Sequence, residues 1–155
     1  MKHPLIHAIL ASVLLLAGCD RTPSGESSHA NPNDKATVAM GAKVYAQHCA
    51  ACHGASLEGQ KDWRTRKPDG RLPAPPHDES GHTWHHPDDV LFGITKYGLV
   101  PGKYAPPGYQ SDMPAFNGQL SDDEIWAVLA YLKTFWKSPD VLEARAEMMR
   151  NSSSR

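Results

Sequence analysis

The chain has 155 residues, 40% of them hydrophobic, with 13 Pro, 12 Gly and a formal net charge of -1. Such a length suits one domain with a modest core, and the Pro and Gly content implies much irregular structure between few regular elements. A balance this close to neutrality excludes bulk affinity for nucleic acid.

The N-terminus carries the first specific signal. Lys2 supplies a short positive region, and Leu5 to Ala17 is an apolar stretch interrupted only by His7 and Ser12. It is too short to span a bilayer as a mature helix and reads as an export signal over residues 1–18. The run closes on Leu16-Ala17-Gly18-Cys19, which resembles the lipobox of bacterial lipoproteins. That resemblance implies cleavage before Cys19 and acylation of its thiol, and several acyl chains together give an attachment that one would not. The alternative is an ordinary cleaved signal followed by a stray thiol, which is a liability in an oxidising compartment. Asp20 looks like the inner-membrane retention signal of many Gram-negative lipoproteins, so the expected location is the periplasmic side of the inner membrane.

Residues 19–33 include Pro23, Gly25, Ser27, Ser28 and Pro32, show no apolar period and read as a flexible tether. The folded domain is expected over 34–138. Val38, Gly41, Ala42, Tyr45 and Cys49 share one helical face behind Asp34 as N-cap, so the first helix runs into Cys49. A second helix opens at His86-Pro87-Asp88-Asp89, places Val90, Leu91, Ile94 and Tyr97 on one side, and ends at Gly98. In the third, Ser121 and Glu124 form a capping box, and Ile125, Val128, Leu129, Leu132 and Trp136 make the apolar stripe. Lys133 and Lys137 then precede a Ser138-Pro139 stop. No segment alternates as a strand does, so the expected class is all-α, three main helices with long loops. Those loops, 54–85 and 99–120, are too long for a compact domain unless something organises them. Residues 139–155 form a polar tail whose helical pattern reaches Met149 and then frays.

Cys49-Ala50-Ala51-Cys52-His53 is the strongest chemical signal and matches the attachment pattern of c-type haem. Cys49, Cys52 and His53 stand at i, i+3 and i+4, so on a helical turn they share a face, with two thiols for the vinyl groups and an imidazole for iron. A thioredoxin-like pair would need a preceding strand, where a helix is expected. A zinc site drawing on His82, His85 or His86 falls outside common finger spacings, and a disulfide across two residues is strained.

With that motif in place, the chain resembles the class I, single-haem c-type cytochromes over roughly Asp34 to Ser138. Gly41 and Tyr45 look like the family's Gly and aromatic pair on the first helix, and Tyr131 like their aromatic partner on the last. The resemblance implies one covalent haem c organising the loops, with thioethers at Cys49 and Cys52 and His53 on the iron. Met113, in Asp112-Met113-Pro114-Ala115-Phe116, looks like the second axial ligand, with a core-filling role as the alternative. His/Met ligation implies a potential above that of two imidazoles, because a thioether favours ferrous iron. The family also places a Pro after the motif whose carbonyl accepts from the proximal imidazole; Pro75 or Pro76 fits that place.

Six-coordinate iron has no open position, so the implied task is single-electron transfer, by a free carrier or by the electron-transfer subunit of a redox complex, and no catalytic residue is expected. Expected partners are periplasmic or membrane redox proteins that dock transiently, with the lipid on Cys19 as the membrane anchor and the protein itself a monomer. Phe116 and Pro114 with Lys96 and Lys103 make one candidate docking surface. The basic cluster Lys61, Arg64, Arg66, Lys67 and Arg71 makes another, although a solvated loop face is the commoner meaning of such charges. Two other readings stay open: a peroxidase or gas sensor in which Met113 leaves the iron, and a periplasmic copper or zinc handler using His82, His85 and His86. His48 and His77 are expected to face solvent.

Overall fold

The computed structural model describes residues 29–152, so the expected signal peptide, Cys19 and the tether as far as residue 28 lie outside the described residues. Within them the chain forms five α-helices and no strand: α1 Lys35–His48, α2 Ala50–His53, α3 Asp88–Tyr97, α4 Asp122–Lys133 and α5 Pro139–Ser152. A short 3-10 turn covers Thr83–His85. The all-α expectation holds.

α1 and α4 begin where their capping residues stand. The Asp34 carboxylate accepts from the N–H groups of Ala36 at 3.0 Å and Thr37 at 3.4 Å, satisfying two donors that the helix leaves open. At α4, Ser121 Oγ accepts from the Glu124 N–H while the Glu124 carboxylate accepts from the Ser121 N–H at 2.8 Å. The two helices pack at Gly41, where a Cβ would overlap the Ala127 carbonyl and crowd Tyr131. Tyr45, 2% exposed, meets Tyr131 one turn further on, with ring centroids 5.5 Å apart. Ile125, Val128, Leu129 and Leu132 join Val44, Tyr45, Leu57 and Leu91 in one core cluster.

α3 keeps Leu91 of the expected face buried and Val90 and Ile94 half-buried, but turns Tyr97 out. Asp88, Leu91 and Gly93 are buried, whereas Tyr97 is 46% exposed. The cause is Asp88, only 1% exposed, which pairs with Lys133 of α4 at 2.7 Å and with Arg145 of α5. Arg145 also donates to the carbonyls of Trp84 at 3.2 Å and His86 at 3.0 Å and lies over the Trp136 ring. The helical pattern expected as far as Met149 is therefore a docked helix, held by Val141 and Arg145, that continues to Ser152. Pro139, expected as a stop, opens that helix, in a first-turn position where a missing N–H goes unnoticed. α4 ends at Lys133, and Trp136 follows in a turn, buried, with its Nε1 donating to the His77 carbonyl at 3.0 Å. At the other end Ala30 is buried and His29 stacks on Trp126, so packing starts before Asp34.

Asp88 shares a desolvated group with Lys133 and Arg145 and pairs with both. Its removal takes a carboxylate away from two buried cations. Asp88→Ala is expected to destabilise the fold by about 3–5 kcal/mol in chemical denaturation, against about 0.5 kcal/mol or less for Glu147→Ala on the exposed side of α5.

Candidate functional site

α1 and α2 are nearly one helix, interrupted at Cys49, whose φ of -116° and ψ of -39° reset the chain. The N–H groups of Cys52 and His53 both donate to the Cys49 carbonyl, at 3.1 and 3.0 Å, so the three motif residues share one turn. Gly54 ends it with φ of 83°, a region where glycine carries no side-chain penalty. Cys49 is half-buried and packs against the core, Cys52 is exposed, and His53 is 7% exposed. Neither thiol is in a disulfide. Burial, and then the neighbouring Cys52, push the Cys49 thiol up to about 11, so it is protonated at neutral pH. A thiolate nucleophile needs the opposite shift.

His53 is held on two sides. Its Nδ1 lies 2.8 Å from the Pro75 carbonyl, which singles out Pro75 from the two candidates. A carbonyl only accepts, so Nδ1 carries the proton and Nε2 keeps its lone pair. Burial lowers the ring's pKa against the opposing pull of the Pro75 hydrogen bond, which leaves a neutral imidazole. The ring stacks on His77, centroids 3.9 Å apart and planes 22° from parallel.

His77 does not face solvent as expected. Its N–H donates to the Leu57 carbonyl at 2.8 Å, its own carbonyl accepts from Trp136, and its Nδ1 lies 2.7 Å from Thr83 Oγ1. Burial, followed by the charges of His53 and His82, holds it well below the usual imidazole range. Sequence reasoning missed it because a Pro-rich loop has no period to read; the one available signal was its place two residues after Pro75. On the other flank the Tyr45 hydroxyl donates to the Gly54 carbonyl at 2.8 Å and ties α1 to the end of the motif.

Met113 sits half-buried in the loop between α3 and α4, packed against the same core cluster as Cys49 and Ala50. Its N–H donates to Ser111 Oγ at 3.0 Å. Its neighbour Asp112 faces Lys67 and Arg71 from the loop after the motif. Phe116, expected on a docking surface, is 6% exposed because its N–H reaches back to the Thr95 carbonyl and draws the ring inward. Lys96, from the same expected surface, pairs with Asp122 at 2.6 Å. Of the loop histidines, His82 stacks on Trp63 and His85 on Trp84, and His86 lies edge-on to His82. Among the described residues no group of three or more His, Cys, Asp or Glu is arranged to hold a metal ion.

The donor set fits haem c. Two unpaired thiols and a neutral imidazole share a turn, and a thioether stands on a second loop against the same core. The buried Nε of Arg71 lacks an acceptor among the described residues, a donor of the kind a haem carboxylate satisfies. The family model described as Cytochrome c matches residues 38–136, from α1 to Trp136. Neither the curated proteins nor the solved structures compared with the chain give a match. A match over more than half the chain, on a helical fold that carries the attachment motif on one turn, places it in the cytochrome c family, whose members bind haem c covalently and transfer electrons through it.

Proposed function

We propose that the protein is a single-haem, one-electron carrier in which Cys49 and Cys52 hold haem c through thioethers and His53 and Met113 ligate the iron. In this reading residues 1–18 are removed on export and a lipid on Cys19 tethers the domain to the periplasmic side of the inner membrane. The contact between His53 Nδ1 and the Pro75 carbonyl carries the reading: it leaves Nε2 available on a ring that burial keeps neutral, the state a metal ligand needs.

Bound haem supplies an iron that alternates between ferric and ferrous states. The chain holds the imidazole plane against His77, keeps His53 buried, and offers the Met113 thioether, a soft ligand that favours the ferrous state. Cys52 is exposed, so a redox partner approaches the site from that end, in a small and short-lived contact.

Protein matured in cytochrome-competent cells is expected to keep its pigment on the polypeptide after denaturation, and a colourless denatured chain overturns the proposal. The oxidised protein should show the weak long-wavelength band of a thioether on iron, and the reduced protein should not bind carbon monoxide. Met113→Ala should abolish the band and admit carbon monoxide; an unchanged spectrum removes Met113 from the iron, and carbon monoxide binding by the unaltered protein favours a sensor or peroxidase. Labelling the cells with a radioactive fatty acid should label the protein but not its Cys19→Ser variant, whereas an unlabelled parent protein refutes the lipid anchor.

A further inference from the structure

The loop after the haem motif and the loop that bears Met113 are joined by charge. Lys67 Nζ lies 2.5 Å from one oxygen of Asp112, and Arg71 Nη1 lies 3.3 Å from the other. Asp69 faces both cations at longer range, 3.8 and 3.7 Å. The two cations are presented together: the Lys67 N–H donates to the Arg71 carbonyl at 2.8 Å and the Gly70 N–H to the Lys67 carbonyl at 2.9 Å, which closes a tight turn between them. Beside it Arg66 donates to the Gly70 carbonyl and lies 5.6 Å from the Tyr109 ring, a second link between the same two loops.

Asp112 immediately precedes Met113. A thioether brings no charge to iron, so its hold depends on the loop delivering it to the right place. We infer that Lys67 and Arg71, clasping Asp112, are positioning residues that keep the Met113 loop seated and set how often the thioether leaves the iron. The inference rests on the Met113 ligation proposed above. The side chains involved are 37% to 54% exposed, where an isolated ion pair contributes little. Here two cations from one turn share one carboxylate, the networked arrangement in which surface charges do act. Their exposure makes the clasp responsive to salt, because the screening length falls from about 10 Å at 0.1 M to about 3 Å at 1 M.

The test uses the ferric, haem-loaded protein mixed with excess imidazole, following the loss of the long-wavelength thioether band. At low salt Asp112→Asn is expected to exchange roughly fivefold faster than the unaltered protein. Asp112→Glu should restore the slow rate, and 1 M salt should bring the unaltered protein towards the Asp112→Asn rate. The global denaturation midpoint, followed by far-ultraviolet circular dichroism, should stay unchanged in Asp112→Asn. Equal exchange rates at low salt overturn the clasp and leave Met113 ligation standing. Faster exchange that merely tracks a lower denaturation midpoint overturns the positioning role. Absence of the band in the unaltered protein overturns the ligation itself and the clasp with it.

Discussion

Everything at the site depends on α1 and α4 approaching closely enough for their backbones to touch. Gly41 permits this because any side chain there would occupy the space of the Ala127 carbonyl. The approach buries Tyr45 against Tyr131, and a buried phenol needs a partner for its hydroxyl. It finds the carbonyl of Gly54, directly after His53. A single absent side chain on α1 thus fixes the end of the turn that carries Cys49, Cys52 and His53.

The loop after that turn is organised by contacts to the imidazole in place of secondary structure. Leu57 adopts φ of 66°, a left-handed conformation that costs a non-glycine residue on the order of 1–3 kcal/mol. Burying its side chain completely recovers about 1.5–3 kcal/mol, and its carbonyl also accepts from the His77 N–H. The strain is therefore offset where it arises. In return His77 is set face-on to His53, while the Pro75 carbonyl reaches Nδ1 from the same stretch of chain. A 32-residue irregular loop is tolerable here because its own cross-links, such as Gln60 N–H to the Ala74 carbonyl and His77 N–H to the Leu57 carbonyl, gather it around one ring.

The features legible in the sequence were those set by short-range spacing: the Asp34 cap, the Ser121–Glu124 box, the apolar stripe of α4, and the motif turn itself. Gly41, Tyr45 and Tyr131 were legible only through family resemblance, since each is unremarkable alone. What escaped was polar burial. α5 docks through Arg145, and α3 is turned inward by Asp88, so counting apolar residues left the first as a polar tail with no docking face and put Tyr97 of the second on the wrong face. His77 and Phe116 escaped because their positions follow from hydrogen bonds to Leu57 and Thr95, partners distant in sequence that no local period encodes.

The protein uses the same kind of charged group in two opposite settings. The Asp88, Lys133 and Arg145 side chains are almost wholly withdrawn from water and bind three helices together. The Asp112, Lys67 and Arg71 side chains remain about half in solvent and bind two loops. Salt screens exposed charges far more than buried ones, so ionic conditions act on the loops while leaving the helical frame intact. The frame that places His53 and the loop that carries Met113 are therefore held by charges of opposite exposure, and under the proposed ligation salt acts on the thioether side first.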